Sequence, residues 1–484
     1  MTSRDVSWGE AGLYGLIFPA DRDATAPAMT TGSTTVSYGQ LRSLIDNQVD
    51  RLAAAGVRAG DRVTVEFLNG IDFAVAFHAV VHLGAVAVPL SPLSGDVAGY
   101  CVRAQVRWRC GEAGLRRVSA AAAEPGEPAG AGLDAVACLP FSSGTTGGLP
   151  KPVMLTHRNV AANVEQFAAV APLRRGETVL SMLPMSHIYG LTVLLNVPLA
   201  MGAHVIAEPF AAPRFISAQR DFPVGLSFIA PPLAALLASR RDLGPDDFPH
   251  LHTMISGAAP LAPATARAAE ARTGARIMQG YGMTETSPVT HLAYVEGTPV
   301  SSVGSPLPGT QQRIVVPRTE EVLPDGVVGE LCVRGPQVMR GYWDDPVATR
   351  GTFGPDGWLH TGDAAVIDPE RQTVEIVDRL KDLIKFRGFS VSPVKVENVL
   401  LTHPELIDAA VVRGFQPGSG QEQPVAAVVP ARPDAPPTLR QLQDFLRPHL
   451  AGYELIRDVV CVPQLPRSAA GKILRHKVAE FFAA

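Results

Sequence analysis

Phe141-Ser-Ser-Gly-Thr-Thr-Gly-Gly-Leu-Pro-Lys151 is the stretch from which the chain is best read. Four hydroxyls (Ser142, Ser143, Thr145, Thr146) and three glycines (Gly144, Gly147, Gly148) stand together, followed by one lysine. Glycines let backbone N–H groups approach an anion closely, hydroxyls add donors, and Lys151 adds a compact positive charge. It is not a Walker loop, because no Gly-Lys-Ser/Thr ending follows. Taken alone it is also compatible with a plain Ser/Thr/Gly surface loop.

Upstream of the loop, Leu41, Leu44, Ile45, Val49 and Leu52 recur at helical spacing. Arg62–Leu68 alternates as a strand, Phe73–Leu83 reads as a helix and Ala85–Leu90 as a buried strand. Strand–helix alternation resumes from Thr178 to about Thr290. That texture predicts a layered α/β domain around parallel sheets. Residues 119–133, rich in Ala, Gly and Pro, read as a flexible surface loop. From Val303 to Val377 short strands with Gly/Pro turns predict a small β subdomain. After Asp378 the pattern resets: helices over Val394–Leu401 and Leu439–Leu450, strands over Ile407–Arg413 and Val425–Pro430, a small α+β unit. The expected fold class is α/β: a large multi-layer N-terminal domain over 1–380, two αβ sheet subdomains plus a small β subdomain, with a small mobile α+β domain over 381–484.

Composition narrows the function. The chain has 484 residues, enough for about three globular units. Its formal net charge of −4 gives no whole-chain basic field for nucleic acid or an anionic membrane. Residues 1–20 lack a signal-peptide layout, and the most apolar stretch, Phe73–Leu90, is broken by His78, His82, Gly84 and Pro89, so a cytoplasmic protein without a membrane span is expected. Five cysteines, without a CxxC pair, read as reduced thiols. Only six of the 42 basic residues are lysine: Lys151, Lys381, Lys385, Lys395, Lys472 and Lys477. A surviving lysine is a candidate for a task that needs an ammonium on a flexible stem.

Four further segments carry chemistry. In Gln279-Gly-Tyr-Gly-Met-Thr-Glu285 two glycines flank an aromatic that could stack on a base, and Glu285 could hold Mg²⁺. In Gly357-Trp-Leu-His-Thr-Gly-Asp363 an aspartate after a glycine turn suits a ribose diol. Asp378-Arg-Leu-Lys-Asp-Leu-Ile-Lys-Phe-Arg-Gly388 is a basic cluster at the junction of the two units, and Pro466-Arg-Ser-Ala-Ala-Gly-Lys-Ile-Leu-Arg475 is a Gly-Lys turn. The first two, read alone, could be ordinary turns.

Together and in this order, the five segments resemble the adenylate-forming superfamily of acyl-CoA synthetases, luciferases and peptide-synthetase adenylation domains. The resemblance runs from about residue 34 to 478 and is closest to the 4-coumarate–CoA ligase-like branch. Leu183-Pro-Met-Ser-His-Ile-Tyr-Gly190, Ser256-Gly-Ala-Ala-Pro-Leu261 and Gly418-Ser-Gly-Gln-Glu-Gln-Pro-Val425 support it. It implies activation of a carboxylic acid by ATP and Mg²⁺ to an acyl-adenylate, then attack by a thiol, usually that of coenzyme A. By resemblance, Ser142, Ser143, Gly144, Thr145, Thr146 and Lys151 hold the β and γ phosphates, Thr284 contacts phosphate and Glu285 holds Mg²⁺. Ala258, Gln279, Gly280 and Tyr281 belong to the nucleotide site, with Ala258, Gly280 and Tyr281 framing the adenine, while Asp363 and Arg379 grip the ribose. Lys472 lies between the substrate carboxylate and the α-phosphate, and His187 borders the acyl pocket. Lys381 is the hinge, and Lys385, Gly388 and Phe389 line the acceptor side. The acyl pocket falls to Tyr189, Val193, Ala258, Gly280, Gly282, Pro288 and Val289, a flat slot suited to a planar aryl or cinnamoyl-type acid.

The sequence also departs from the family pattern. The phosphate loop has the extra Gly147-Gly148, and Pro152 replaces the usual glycine after Lys151. The stretch from Pro89 to Ser142 is short, Glu208-Pro209-Phe210 lacks a basic residue often met near coenzyme A, and Ser390 replaces a glutamine. These departures keep open an adenylating enzyme with another acceptor or substrate, such as a nitrite-activating aryl-amine diazotase or a carrier-protein loader.

Overall fold

The computed structural model describes residues 12–118, 132–142, 150–416, 418–467 and 473–482. The expected loop at 119–133 lies almost wholly outside them.

The first helix predicted by the periodic apolar pattern spans Tyr38–Ala55. Its start is written in the sequence: Ser37 and Gln40 form a reciprocal capping box, and Gly56, at φ +100°, ends the helix in the left-handed conformation that a side chain disfavours. Leu41, Ile45 and Leu52 are buried, but Leu44 is 41% exposed, so the apolar stripe is narrower than its spacing predicts. The helix Ile71–His82 is buried on nearly every side, which explains its near-continuous apolar sequence.

Two parallel-cored sheets carry the large domain. In the first, the strands run in the order 305–306, 289–292, 276–282, 253–256, 224–229, 178–181, 204–207, 27–31, 34–37. The pairs from Arg276–Gly282 across to Pro27–Thr31 are parallel, and both edges are closed by antiparallel partners. The second sheet runs 341–342, 153–156, 136–138, 86–89, 62–66, 108–111, 114–117, again parallel inside and antiparallel at each edge. A four-stranded antiparallel sheet of Gln311–Val315, Gly329–Arg334, Leu359–Ile367 and Val374–Arg379 is the small β subdomain. The C-terminal unit has its own cores under a hairpin (Ile384–Phe386 and Phe389–Val391) and a three-stranded sheet of Leu406–Phe415, Glu422–Pro430 and Asp458–Cys461. Its second helix ends at Leu446, four residues earlier than the periodicity predicts. The fold is thus α/β with a large N-terminal and a small C-terminal domain. All five cysteines are free thiols, four of them buried.

Two buried imidazoles tie stability to pH. His78 is fully buried between Phe18 and Phe77, its ring edge-on to theirs, and neither ring nitrogen has a hydrogen-bond partner. Burial, with the neighbouring His82, pushes it from 6.5 down to about 3. Burial likewise pushes His291 down to about 4. Below pH 6.5 the unfolded chain takes up protons that the folded protein refuses. The stability contributed by the neutral rings is therefore full above 6.5 and lost as pH falls toward 3 to 4, at about 1.4 kcal/mol per pH unit for each ring. Asp378, raised by burial to about 6, works in the opposite sense, so a substitution isolates the histidine better than the raw curve. His78→Leu is expected to melt at or above the wild-type temperature at pH 7 and to lose less than wild type on moving to pH 5. Equal losses, measured by thermal unfolding at both pH values, would refute the assignment.

Candidate active site

Ligands of open α/β sheets bind beyond the carboxyl ends of the strands. Two parallel strands of the first sheet, Thr253–Ser256 and Arg276–Gly282, end where the candidate adenine-framing residues begin. Ala258 adopts φ +72°, a left-handed turn that carries the chain sharply away from its strand. Tyr281 donates its hydroxyl to Asp363 Oδ2 at 2.6 Å, and Arg379 Nε lies 3.4 Å from Asp363 Oδ1. Asp363 and Arg379 are register partners on adjacent antiparallel strands, which fixes their approach through the backbone. Burial, then Asp363, raises Tyr281 well above the ordinary phenol range, so it stays a donor. Beside this cluster a cleft of about 300 Å³ is lined by Glu330, Thr361, Gly362, Asp363, Arg379, Leu380 and Lys381.

Four residues after Tyr281, Glu285 is buried, its backbone carbonyl accepting from Met339 N at 2.8 Å and its carboxylate Oε1 from the Tyr342 hydroxyl at 2.8 Å. Burial raises its pKa above the usual carboxylate range, and the Tyr342 bond opposes that rise. A hard cation that takes one protein carboxylate plus phosphate oxygens fits this donor set. Thr284, also buried, opens the same short 3₁₀ turn.

The Ser/Thr/Gly loop is described only at its neck. Ser142 N donates to Lys151 O at 2.9 Å, Lys151 N donates to Ser142 Oγ at 3.2 Å, and Phe141 bridges Pro152. Pro152 therefore sits in a β-bridge whose only loss is an amide donor. Lys151 Nζ lies 3.8 Å from Asp345 and 5.0 Å from the centre of the Tyr342 ring. Ser143, Gly144, Thr145 and Thr146, with the extra Gly147-Gly148, lie outside the described residues, as does Lys472. On either side of residues 468–472, Arg467 bridges Ile473, and Arg467 pairs with Asp408 at 2.7 Å. Three residues beyond Lys472, the nearly buried Arg475 is gripped by Glu397 at 2.5 and 2.9 Å and by Val411 O at 2.6 Å.

At the junction Lys381 is pushed down to about 8, first by burial and then by Arg379. Arg413 holds the carbonyls of Lys381 and Leu383 at 3.0 and 3.2 Å. Lys385 donates to Ser390 Oγ at 2.6 Å, so the serine at the glutamine position is engaged by that lysine. Gly388 has φ +84°, and the exposed Phe389 stacks on Tyr453 with centroids 4.2 Å apart.

The acyl-pocket candidates divide. Tyr189 donates its hydroxyl to Ile255 O at 3.2 Å, its amide to His187 Nδ1 at 3.2 Å, and its ring lies where a Cβ on Gly257 would stand only 3.1–3.2 Å away. Val193 is fully buried in the core with Phe167, Phe228 and Ile255. Gly282 is small for a backbone reason: a Cβ there would meet Pro288 O at 2.0 Å. Gln279 spends its amide on the backbone, accepting from Leu261 N at 3.1 Å and donating to Val300 O, so its side chain shapes the turn. Glu208 is locked to Arg214 at 2.5 and 2.7 Å, which engages the nearby cation.

Sequence reading missed two sets of supports. Asn159, Asn163 and Gln166 stand at i, i+4 and i+7 on the helix His157–Ala168. Asn159 holds the carbonyls of Pro336 and Val338, both at 2.8 Å, Gln166 that of Pro308 at 2.9 Å, and Asn163 both backbone groups of Val289 at 2.7 and 3.0 Å. Amides at helical spacing were the available signal. Tyr342 is the other, in Gly341-Tyr-Trp-Asp-Asp-Pro346, inside the stretch read only as a small β subdomain of short strands. Asn163→Ala is expected to leave two buried backbone groups unmet, at about 1–3 kcal/mol each. Its melting temperature and its pyrophosphate release with ATP and acid should both fall; wild-type values for both would show that Val289 needs no such support.

The comparisons agree with this geometry. The AMP-binding enzyme family model matches residues 19–98 and 102–343, and the AMP-binding enzyme C-terminal domain model matches 395–472. 4-coumarate–CoA ligase 2 of Oryza sativa subsp. japonica is 33% identical, over 94% of this chain and 89% of its own length. ATP-bound MatB from Rhodopseudomonas palustris is 28% identical and superposes with a TM-score of 0.88 over 98% of this chain and 99% of its own; its apo form reaches 0.78 over the same shares. The present arrangement is thus nearer the ATP-bound form. The amide bond synthetase McbA from Marinactinospora thermotolerans is 27% identical, with a TM-score of 0.85 over 98% of this chain and 100% of its own. Among the described residues no helix is long and apolar enough to cross a membrane. A buried Asp363 held by Tyr281 and Arg379, with the buried Glu285 close by, in a large α/β domain followed by a small one, accords with both family models: the chain belongs to the AMP-binding enzyme family, in its 4-coumarate–CoA ligase-like branch, and is an AMP-forming ligase.

Proposed function

We propose that this chain joins a planar aryl or cinnamoyl-type carboxylic acid to coenzyme A through an acyl-adenylate, in the cytoplasm. The observation that carries the reading is the Asp363 cluster, in which a buried carboxylate held by Tyr281 and Arg379 stands at the strand ends, ready to accept from a ribose diol. The acid class is supported by the name of the 4-coumarate–CoA ligase relative and by the aromatic Tyr189, which packs edge-on against Phe228.

The first step brings a carboxylate against a polyanion, so fixed positive charge must offset the repulsion. Lys151 and the hydroxyl loop take the phosphate tail, Thr284 assists, and Lys472 neutralises the reacting oxygens. Glu285 would hold Mg²⁺, which supplies charge neutralisation at the phosphates when bound. We assign the domain boundary between Leu380 and Lys381, the hinge about which the small domain turns to bring Lys385, Gly388 and Phe389 to the acceptor side. His187, hydrogen-bonded to the backbone of Tyr189, borders the acyl pocket.

A second reading, an acceptor other than coenzyme A, draws on the engaged Arg214 beside Glu208 and on the likeness to an amide bond synthetase. A carrier protein belongs to the same reading.

Asp363→Ala is expected to weaken ATP use by about ten- to a hundredfold and to make ATP and 3′-deoxy-ATP similar substrates, since a hydrogen bond to a charged group contributes about 1.5–3 kcal/mol. Steady-state kinetics with both nucleotides check it; persistent discrimination would remove Asp363 from the ribose. With acid, ATP, Mg²⁺ and coenzyme A, mass spectrometry should find the acyl thioester. Rapid pyrophosphate release with no thioester across a broad acid screen would favour the second reading.

A further inference from the structure

One aromatic side chain joins the two groups assigned to the phosphate end of ATP. Tyr342 touches Glu285 with its hydroxyl, at 2.8 Å from Oε1, and Lys151 with its ring face, at 5.0 Å from the centroid. Its placement comes from backbone. Gly341 and Tyr342 pair with Met154 and Val153, Arg340 N bonds Met154 O, and Trp343 N bonds Pro152 O. The strand that emerges from the phosphate loop is thereby stitched directly to the segment carrying Tyr342. Gly341 has φ +151°, and a Cβ there would lie 2.7 Å from the Thr349 methyl, while Thr349 Oγ1 accepts from Tyr342 N at 2.9 Å. Three residues on, Asp345 caps the helix Pro346–Thr352 through Ala348 N and sits 3.8 Å from Lys151 Nζ.

We propose that Tyr342 is a positioning residue for the triphosphate and its cation: its hydroxyl fixes the rotation of the Glu285 carboxylate, and its ring face, with Asp345 as a stand-in anion, holds Lys151 until the phosphates take Asp345's place. The proposal rests on the assignment of Glu285 and Lys151 to the phosphate end. A carboxylate buried without a fixed partner can turn away from a cation. A lysine side chain carries large rotamer freedom, which a ring face and an exposed anion restrain weakly enough to be displaced.

The test is ATP binding by calorimetry as Mg²⁺ is varied, with AMP, which lacks the β and γ phosphates, as control. Tyr342→Phe keeps the ring and removes the hydroxyl. It should bind ATP about tenfold more weakly at limiting Mg²⁺, recover toward wild type at saturating Mg²⁺, and bind AMP unchanged. Tyr342→Leu, which also loses the ring face, should retain a few-fold deficit that Mg²⁺ does not remove. Asp345→Asn keeps the helix cap and should tighten ATP binding by up to a few-fold. The proposal is overturned if Tyr342→Phe matches wild type for ATP at every Mg²⁺ concentration, or loses ATP and AMP equally. Glu285→Gln separates the two levels. If its ATP binding keeps the wild-type Mg²⁺ dependence, the Glu285 assignment itself falls, and the proposal with it. If that dependence is lost while Tyr342→Phe is indistinguishable from wild type, only the role given to Tyr342 falls.

Discussion

The Asp363 carboxylate is the constraint on which the site depends. It is buried, and a buried carboxylate is costly unless its oxygens are met. Tyr281 meets one oxygen from the end of a strand in the nine-stranded sheet, and Arg379 meets the other from the neighbouring strand of the four-stranded sheet. The two sheets are therefore docked through a charge-assisted contact as well as through the apolar core. Arg379 leads within two residues to Lys381, at the start of the small domain assigned above. Any shift of one sheet against the other would be felt at Asp363 first.

The second cluster follows the same logic with a longer reach. Glu285 lies on the turn that leaves the Tyr281 strand, and its segment is clamped from outside. Asn163 holds the backbone of Val289, Ser287 Oγ donates to Gln337 O at 2.9 Å, and Met339 N donates to Glu285 O at 2.8 Å. These are buried polar bonds, which lose most when one partner is removed, and so they make a rigid wall. Lys151, by contrast, is half-exposed with the partly exposed Asp345 as its partner, which would suit the phosphate role proposed for it.

Much of the fold was legible because it rests on local chemistry. The helical spacing from Leu41 to Leu52 and the strand–helix alternation predict elements within a few residues of those observed. The five motifs named the family because each is a short run of residue types that can be read without knowing the fold. Where reading failed, the deciding contact was distant in sequence. Leu44 shares the spacing of its buried neighbours yet faces outward. Gln279 belongs to a nucleotide motif yet spends its amide on Leu261 and Val300.

By itself the sequence determined the fold class, the order of a large domain before a small one, the scarcity of lysine and the family, because periodicity and short motifs act over a few residues. The tertiary structure alone decided which side chains meet: Tyr281 with Asp363, Tyr342 with Glu285 and Lys151, Arg475 with Glu397. Those pairs are separated by 57 to 191 positions, as in Tyr342 to Glu285 and Tyr342 to Lys151. No local propensity encodes such a meeting; it exists only once the sheets have packed and a buried polar group has to find its partner.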